Sequence, residues 1–232
     1  MDRASTVFIV DDVQDVRTAL ARLLTSGGYR VRLFESAEHF LEEQDGAEPG
    51  CLLLDIGLPG LSGIELQRAL LDSPYARPII FLTGMGDIPA SVSAMKAGAV
   101  DFLTKPIDRL RLFAAIEEAL RRDTAQRWEC AVRRTIEQRF NQLTRREREV
   151  LTRVVRGRLN KQIAWEFSVG EKTIKVHRSR VMQKMGARSV PDLVRLAECV
   201  GIAMDPMACT EVQAPAWHPN LTVRSQLASI GG

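Results

Sequence analysis

Five polar residues in the first half of the chain are of the right types to do chemistry together: Asp11, Asp12, Asp55, Thr83 and Lys105. Three carboxylates brought to one place repel one another. A divalent cation relieves that repulsion, and an all-oxygen, partly hydrated site suits Mg²⁺, whose octahedral demand leaves several waters in place. Lys105 supplies a further compensating charge. Asp55 falls between the metal side and the lysine side, which makes it the candidate nucleophile. A carboxylate attacks phosphorus only when the incoming phosphoryl oxygens are neutralised, and the cation and Lys105 provide that. Thr83 is then placed to hydrogen-bond a phosphoryl oxygen. Taken singly, each of these residues is also what a strand end or a helix start uses as a cap. A second set lies far along the chain, on Glu171–Met185, where Lys172, Lys175, Val176, Ser179 and Arg180 point away from Ile174, Val181 and Met185. That face offers ammonium and guanidinium donors, a hydroxyl and one apolar contact suited to a thymine methyl. Lys172 and Thr173 fall in the first turn, where backbone N–H groups favour phosphate. The bland alternative is a solvated amphipathic helix.

The elements expected around the first set explain why its members would meet. Thr6–Val10, Tyr29–Phe34, Cys51–Leu54, Pro78–Leu82 and Ala99–Leu103 read as five strands. The runs VFIV, CLLL and PIIFL are almost continuously apolar, as parallel strands buried on both faces are. Helix-length segments intervene at Val13–Ser26, Ser36–Glu43, Gly63–Leu71, Ile88–Ala97 and Asp108–Leu120. A βα unit repeated five times predicts an α/β doubly wound five-stranded parallel sheet, with its site at the carboxyl ends of the strands. All five polar residues stand at those ends.

Residues 121–142 turn to Arg, Glu and Gln and read as a helical linker. A compact all-α four-helix region then spans 143–200. Thr144 and Glu147 form a capping-box pattern ahead of Val150, Leu151, Val154 and Val155. Asn160 is expected to cap a second helix, Gly170 a third that ends at Gly186, and Ser189 a fourth. The tail, 201–232, is rich in Pro, Ala, Thr and Gln and is expected to be mobile.

Charge divides along the same lines. Residues 1–122 carry 13 Lys/Arg against 18 Asp/Glu, whereas 123–200 carry 18 against 9, so a net −5 half adjoins a net +9 half. A basic module joined to an acidic one points to a polyanion partner for the second. Cys51, Cys130, Cys199 and Cys209 are scattered without a CxxC pair, which argues against a disulfide framework or a zinc site. No apolar run approaches the roughly 20 residues of a membrane span, and no signal peptide precedes the first strand, so a cytoplasmic protein with no membrane partner is expected.

The pieces IVDD at 9–12, LLDIGLPGLSG at 53–63 and FLTGMGDIPASVSAMKAGAVDFLTKP at 81–106 resemble the flavodoxin-like receiver domain of two-component response regulators, the last piece particularly the FixJ branch. The pieces LTRREREVL at 143–151, LNKQIA at 159–164 and EKTIKVHRSRVMQKM at 171–185 resemble the LuxR/NarL-type helix-turn-helix domain. The first resemblance implies that Asp55 is phosphorylated by a sensor histidine kinase, and that Asp11, Asp12, Asp55 and the backbone carbonyl of Gly57 hold Mg²⁺. It implies too that Thr83 and Lys105 sense the phosphoryl group and that Phe102 is a rotating switch aromatic. By itself Phe102 reads only as a strand side chain. Gly57 and Met85 stand where relatives often carry a larger residue and a histidine, which bears on phosphoryl lifetime. The second resemblance implies that Lys175, Val176, Ser179 and Arg180 read the major groove and that Lys172, Thr173 and Arg178 contact phosphate. His177 has no cluster of His, Cys or carboxylates around it and is expected to be structural or phosphate-facing.

Together these imply a non-enzymatic transcription regulator that binds promoter DNA, dimerises when phosphorylated and acts on RNA polymerase, most simply as an activator. Two rivals differ in kind. An aspartate-based phosphotransfer enzyme needs a second acid/base group, yet His39, His177 and His218 all fall away from the aspartates. A phosphorylation-independent regulator would bind DNA equally with and without beryllofluoride.

Overall fold

The computed structural model describes residues 5–71, 77–84 and 94–202. Met85, most of the expected Ile88–Ala97 helix and the tail from residue 203 lie outside them. The chain divides into two compact units between Ala131 and Val132.

In the first unit the strands are β1 (Thr6–Val10), β2 (Arg30–Phe34), β3 (Gly50–Asp55), β4 (Ile79–Thr83) and β5 (Asp101–Thr104). They form one sheet in the order β2-β1-β3-β4-β5, and every neighbouring pair is parallel. β1, β3 and β4 are buried along their whole length, which is what their unbroken apolar runs require. The edge strand β2 is partly exposed. The expected strand at 99–103 begins two residues later, because Ala99 and Val100 complete the turn after Gly98 and only Val100 bonds back, to the Ile79 carbonyl.

Helices α1 (Gln14–Ser26), α2 (Ala37–Glu43) and α3 (Gly63–Leu71) return the chain between strands, and α4 (Arg109–Asn141) follows β5. Alternation along the strands produces two cores. Val7, Ile9, Cys51, Leu53, Ile80 and Leu82 face Leu20 and Leu24 of α1 and Leu112 and Ile116 of α4. Phe8, Val10, Leu52, Leu54 and Phe81 face Phe40 of α2 and Leu66 and Leu70 of α3.

Helix α4 runs without a break through the stretch expected as a separate linker, 33 residues in all. Its apolar stripe within the first unit ends near Leu120, yet Asp123 is buried and accepts the Gly50 N–H at 3.0 Å. Arg127, one turn on, donates to Asp123 at 2.9 Å and to the carbonyls of Ala47 at 2.9 Å and Glu48 at 2.7 Å. Arg77 donates to the carbonyls of Glu48 and Asp45 and lies 4.1 Å over the Phe8 ring. Polar side chains thus hold the amino end of β3 to α4 where no apolar contact was to be expected.

The second unit holds α5 (Arg145–Val155), α6 (Asn160–Glu166), α7 (Glu171–Met185) and α8 (Val190–Cys199) around a core of Val150, Leu151, Val154, Ile163, Ile174, Val181, Met185 and Leu193, joined by Ile136 of α4. The Thr144–Glu147 capping box is formed in both directions, and Ser189 accepts from the Asp192 N–H. Gly170 caps α7 and Gly186, left-handed at φ 70°, ends it. Asn160 does not cap α6. Leu159 occupies that position, Gln162 reaches back to its N–H at 2.8 Å, and the Asn160 amide is instead taken by Arg178. Among the described residues no helix is long and apolar enough to cross a membrane.

Candidate functional site

The carboxyl ends of β1, β3, β4 and β5 deliver the first set of residues to one edge of the sheet. Asp11 follows β1, Asp55 and Thr83 are the last residues of β3 and β4, and Lys105 follows β5. The Lys105 ammonium donates to Asp11 Oδ2 at 2.7 Å and to Asp55 Oδ2 at 3.2 Å, bridging two tips that are 44 residues apart in sequence. Burial alone would lower the lysine pKa. The hydrogen bond to Asp11 and the charge of Asp55 outweigh it and hold the group above its ordinary value.

Asp11 is fully buried and each of its acceptors is engaged. Oδ1 takes the Val13 N–H at 2.9 Å, Oδ2 takes Lys105, and the carbonyl takes the Arg17 guanidinium from α1. Asp12 is exposed at the rim. One carboxylate oxygen from each of Asp11, Asp12 and Asp55 lies within 4.8 Å of the others. Three carboxylates against Lys105, with the Arg17 guanidinium at the Asp11 carbonyl, still leave an uncompensated negative charge, all donors are oxygens, and the rim is open to water. This donor set fits a hard divalent cation that keeps part of its hydration shell.

Thr83 is buried next door, its hydroxyl donating to the Gly84 carbonyl at 2.9 Å, while the Lys105 N–H ties the two tips through the Thr83 carbonyl at 2.7 Å. Phe102 is half-buried on β5, its ring centroid 6.5 Å from that of Phe81. Gly57 is exposed, donates weakly to Asp55 Oδ1 at 3.5 Å, and has open space where a Cβ would stand. Two residues that sequence reasoning passed over shape this edge. Gly63 opens α3 directly against the Asp55 backbone, where a Cβ would lie 2.4 Å from the Asp55 carbonyl oxygen, so only glycine fits. Arg17 fixes the Asp11 carbonyl. Glycine at a helix start was the one visible sign of the first; an arginine on an amphipathic helix gives none.

In the second unit, α7 turns Ile174, Val181 and Met185 fully inward. Lys172, Thr173, Lys175, Val176, Ser179 and Arg180 are all exposed on it, with Val176 at 45% although apolar. Lys175 pairs with Glu171 at 3.3 Å, an exposed contact that costs little to exchange for another anion. Arg178 is half-buried and donates to Asn160 Oδ1 at 2.9 Å, so one of its N–H groups braces α7 against α6. His177 is half-buried with a buried Nδ1 that has no hydrogen-bond partner among the described residues. Phe167, which precedes the turn into α7, lies between Arg146 at 3.6 Å and Arg153 at 4.2 Å from its ring centroid.

The family model of the response regulator receiver domain matches residues 7–117, and that of the luxR family of bacterial regulatory proteins matches 141–197. Response regulator protein TodT of Pseudomonas putida is 44% identical over 197 residues, 85% of this chain and 87% of TodT. The chain is a response regulator of a two-component system. Transcriptional regulatory protein FixJ of Rhizobium meliloti is 44% identical to this response regulator over 192 residues, covering 83% of it and 94% of FixJ. The solved structure of response regulator StyR superposes with a TM-score of 0.75 at 46% identity, covering 84% of this chain and 98% of StyR. The response regulator therefore joins a receiver fold to a LuxR-type DNA-binding fold, and its relatives are regulators of transcription rather than enzymes.

Proposed function

We propose that this response regulator is switched by phosphorylation of Asp55, a sensor histidine kinase being the donor. The observation that carries the reading is the Lys105 bridge between Asp11 and Asp55 beside a carboxylate cluster whose oxygens lie within 4.8 Å. Asp11, Asp12, Asp55 and the Gly57 carbonyl are the proposed ligands of Mg²⁺, which when bound supplies positive charge against the phosphoryl oxygens. An Asp55 carboxylate oxygen attacks phosphorus as the bond to the donor histidine breaks, the imidazole nitrogen leaving with the electron pair and an acyl phosphate forming. Lys105, released from its bridge, pairs with the new oxygens, and the Thr83 hydroxyl turns from the Gly84 carbonyl towards them. Phosphorylation adds about one to two negative charges. Phe102 follows the inward movement of Thr83 and repacks the surface formed by β5 and the start of α4.

That surface pairs two receivers, and the dimer places two copies of α7 about one DNA turn apart, which calls for an approximate inverted repeat in the promoter. Lys175, Val176, Ser179 and Arg180 read base edges; Lys172, Thr173 and Arg178 contact phosphate. In this proposal residues 1–120 are the receiver, 121–142 the helical linker, 143–200 the DNA-binding domain and 201–232 a tail. The protein acts in the cytoplasm, and RNA polymerase recruitment makes it an activator. The test is Asp55→Asn, assayed for labelling by acetyl phosphate and for phosphorylation-stimulated retention of genomic DNA fragments. Both should disappear, whereas labelling equal to that of the unsubstituted chain overturns the proposal.

A further inference from the structure

We infer that Glu38, on α2, is a positioning residue for the phosphorylation site, holding the loop after Asp55 that carries the Gly57 carbonyl, a proposed ligand of Mg²⁺. The inference rests on the proposed Mg²⁺-dependent phosphorylation and deepens it. Residues 56–62 connect Asp55 to α3 and carry Gly57 near their start. Leu58 is buried in the core and Ile56 and Leu61 pack against it, but Gly57, Pro59 and Gly60 are exposed and Ser62 is only half-buried. The Ser62–Glu65 bonds cap α3 and do not reach the earlier residues.

Among the described residues, the long-range hydrogen bond to the outer half of the loop comes from α2. Glu38 Oε1 accepts the Leu61 N–H at 2.9 Å, across 23 residues of sequence. Gly60 wraps the same carboxylate: its φ of +77° is left-handed, and a Cβ there would stand 2.8 Å from Glu38 Oε1. The Glu38 carboxyl is held below its usual range, first by its own backbone N–H and next by that of Leu61, so the bond is made to the charged form. Only three residues separate Gly57 from Leu61, and Pro59 among them has a fixed φ. Pinning Leu61 therefore restricts the peptide plane that carries the Gly57 oxygen. Supporting contacts of this kind, one step removed from a ligand, commonly change metal affinity by about 10- to 100-fold.

The experiment compares the full-length chain with Glu38→Ala, which removes the acceptor, and Glu38→Gln, which keeps an acceptor oxygen at the same reach. Mg²⁺ affinity is read by titration calorimetry, Leu61 amide exposure by hydrogen exchange, and acetyl phosphate labelling over a series of Mg²⁺ concentrations. Glu38→Ala should speed Leu61 exchange, weaken Mg²⁺ binding about tenfold and raise the half-saturating Mg²⁺ for labelling by a similar factor. Glu38→Gln should recover most of both. Wild-type Mg²⁺ affinity in Glu38→Ala, with Leu61 exchange accelerated, overturns the positioning role alone. A Gln variant as weak as the Ala variant also overturns it, since charge and not the hydrogen bond would then be at work. An unsubstituted chain that binds no Mg²⁺ overturns the proposed function and this inference with it.

Discussion

Lys105 is one cation among three carboxylates, and the imbalance decides what single substitutions at the site will do. Asp11 is buried with every acceptor engaged, so its loss leaves Lys105 and the Val13 N–H short of partners. Asp12 is exposed at the rim and adds repulsion before it adds coordination. Asp12→Ala is therefore expected to raise the stability of the metal-free chain by an amount on the order of 1 kcal/mol while abolishing stabilisation by Mg²⁺. Thermal unfolding with EDTA and with excess Mg²⁺ checks both signs. The meeting of these residues was legible because each stands at or just past the end of an expected strand, and a run buried on two faces announces its own end. Glu38 and Arg17 were not legible. Each is a charged residue on the outer face of an amphipathic helix, where nothing local distinguishes a side chain that reaches a loop from one that meets water.

Among the elements, β3 and α4 depend on each other through a carboxylate. Asp123 is buried, and removing it strands the Gly50 N–H and an arginine that already holds the 46–48 carbonyls. Asp123→Ala should lower the stability of the first unit by about 3 kcal/mol, with a smaller loss for Asp123→Asn; urea unfolding followed by hydrogen exchange in 47–55 measures it. This coupling explains why the length of α4 went unread. The 3.6-residue apolar period fades after Leu120, and what continues the helix against the receiver is a pair of polar residues four apart. In the second unit the pattern is the reverse. Caps at Thr144, Gly170, Ser189 and Gly186 were readable from side-chain chemistry, and only α6 misled, since Gln162 serves from inside the helix what Asn160 was expected to serve from its start.

Glu147 joins α5 to α7 by bonding both the Thr144 N–H and the Lys184 ammonium, at 2.9 and 2.7 Å. Burial would raise its carboxyl, but the Lys184 bond and then the Thr144 bonds bring it below the usual 4.5. A lowered folded-state value means the contribution is fully present above 4.5 and is lost as pH falls through the lower value. The calorimetric transition of the helical unit should accordingly lose stability below pH 4.5 more steeply in the parent chain than in Glu147→Gln.

At the scale of the molecule, the two units carry separate cores, one pair lining the parallel sheet and one inside the helices. Separate cores predict two calorimetric transitions, and a ligand held by Asp11, Asp12 and Asp55 stabilises only one. Mg²⁺ at about 100 times its dissociation constant should raise the receiver transition by about 2.7 kcal/mol and leave the helical one unmoved. A single transition shifted as a whole would mean that α4 fuses the two into one cooperative block. The Gly50 amide gives this balance a clock. Its proton is shut in at the far end of the strand from Asp55 and clasped by a carboxylate, so it trades for deuterium only when β3 and α4 part there. One peptide at residue 50 thus times the parting of strand from helix, and an interval that lengthens when the opposite end of β3 is occupied would mean that the receiver opens as a whole.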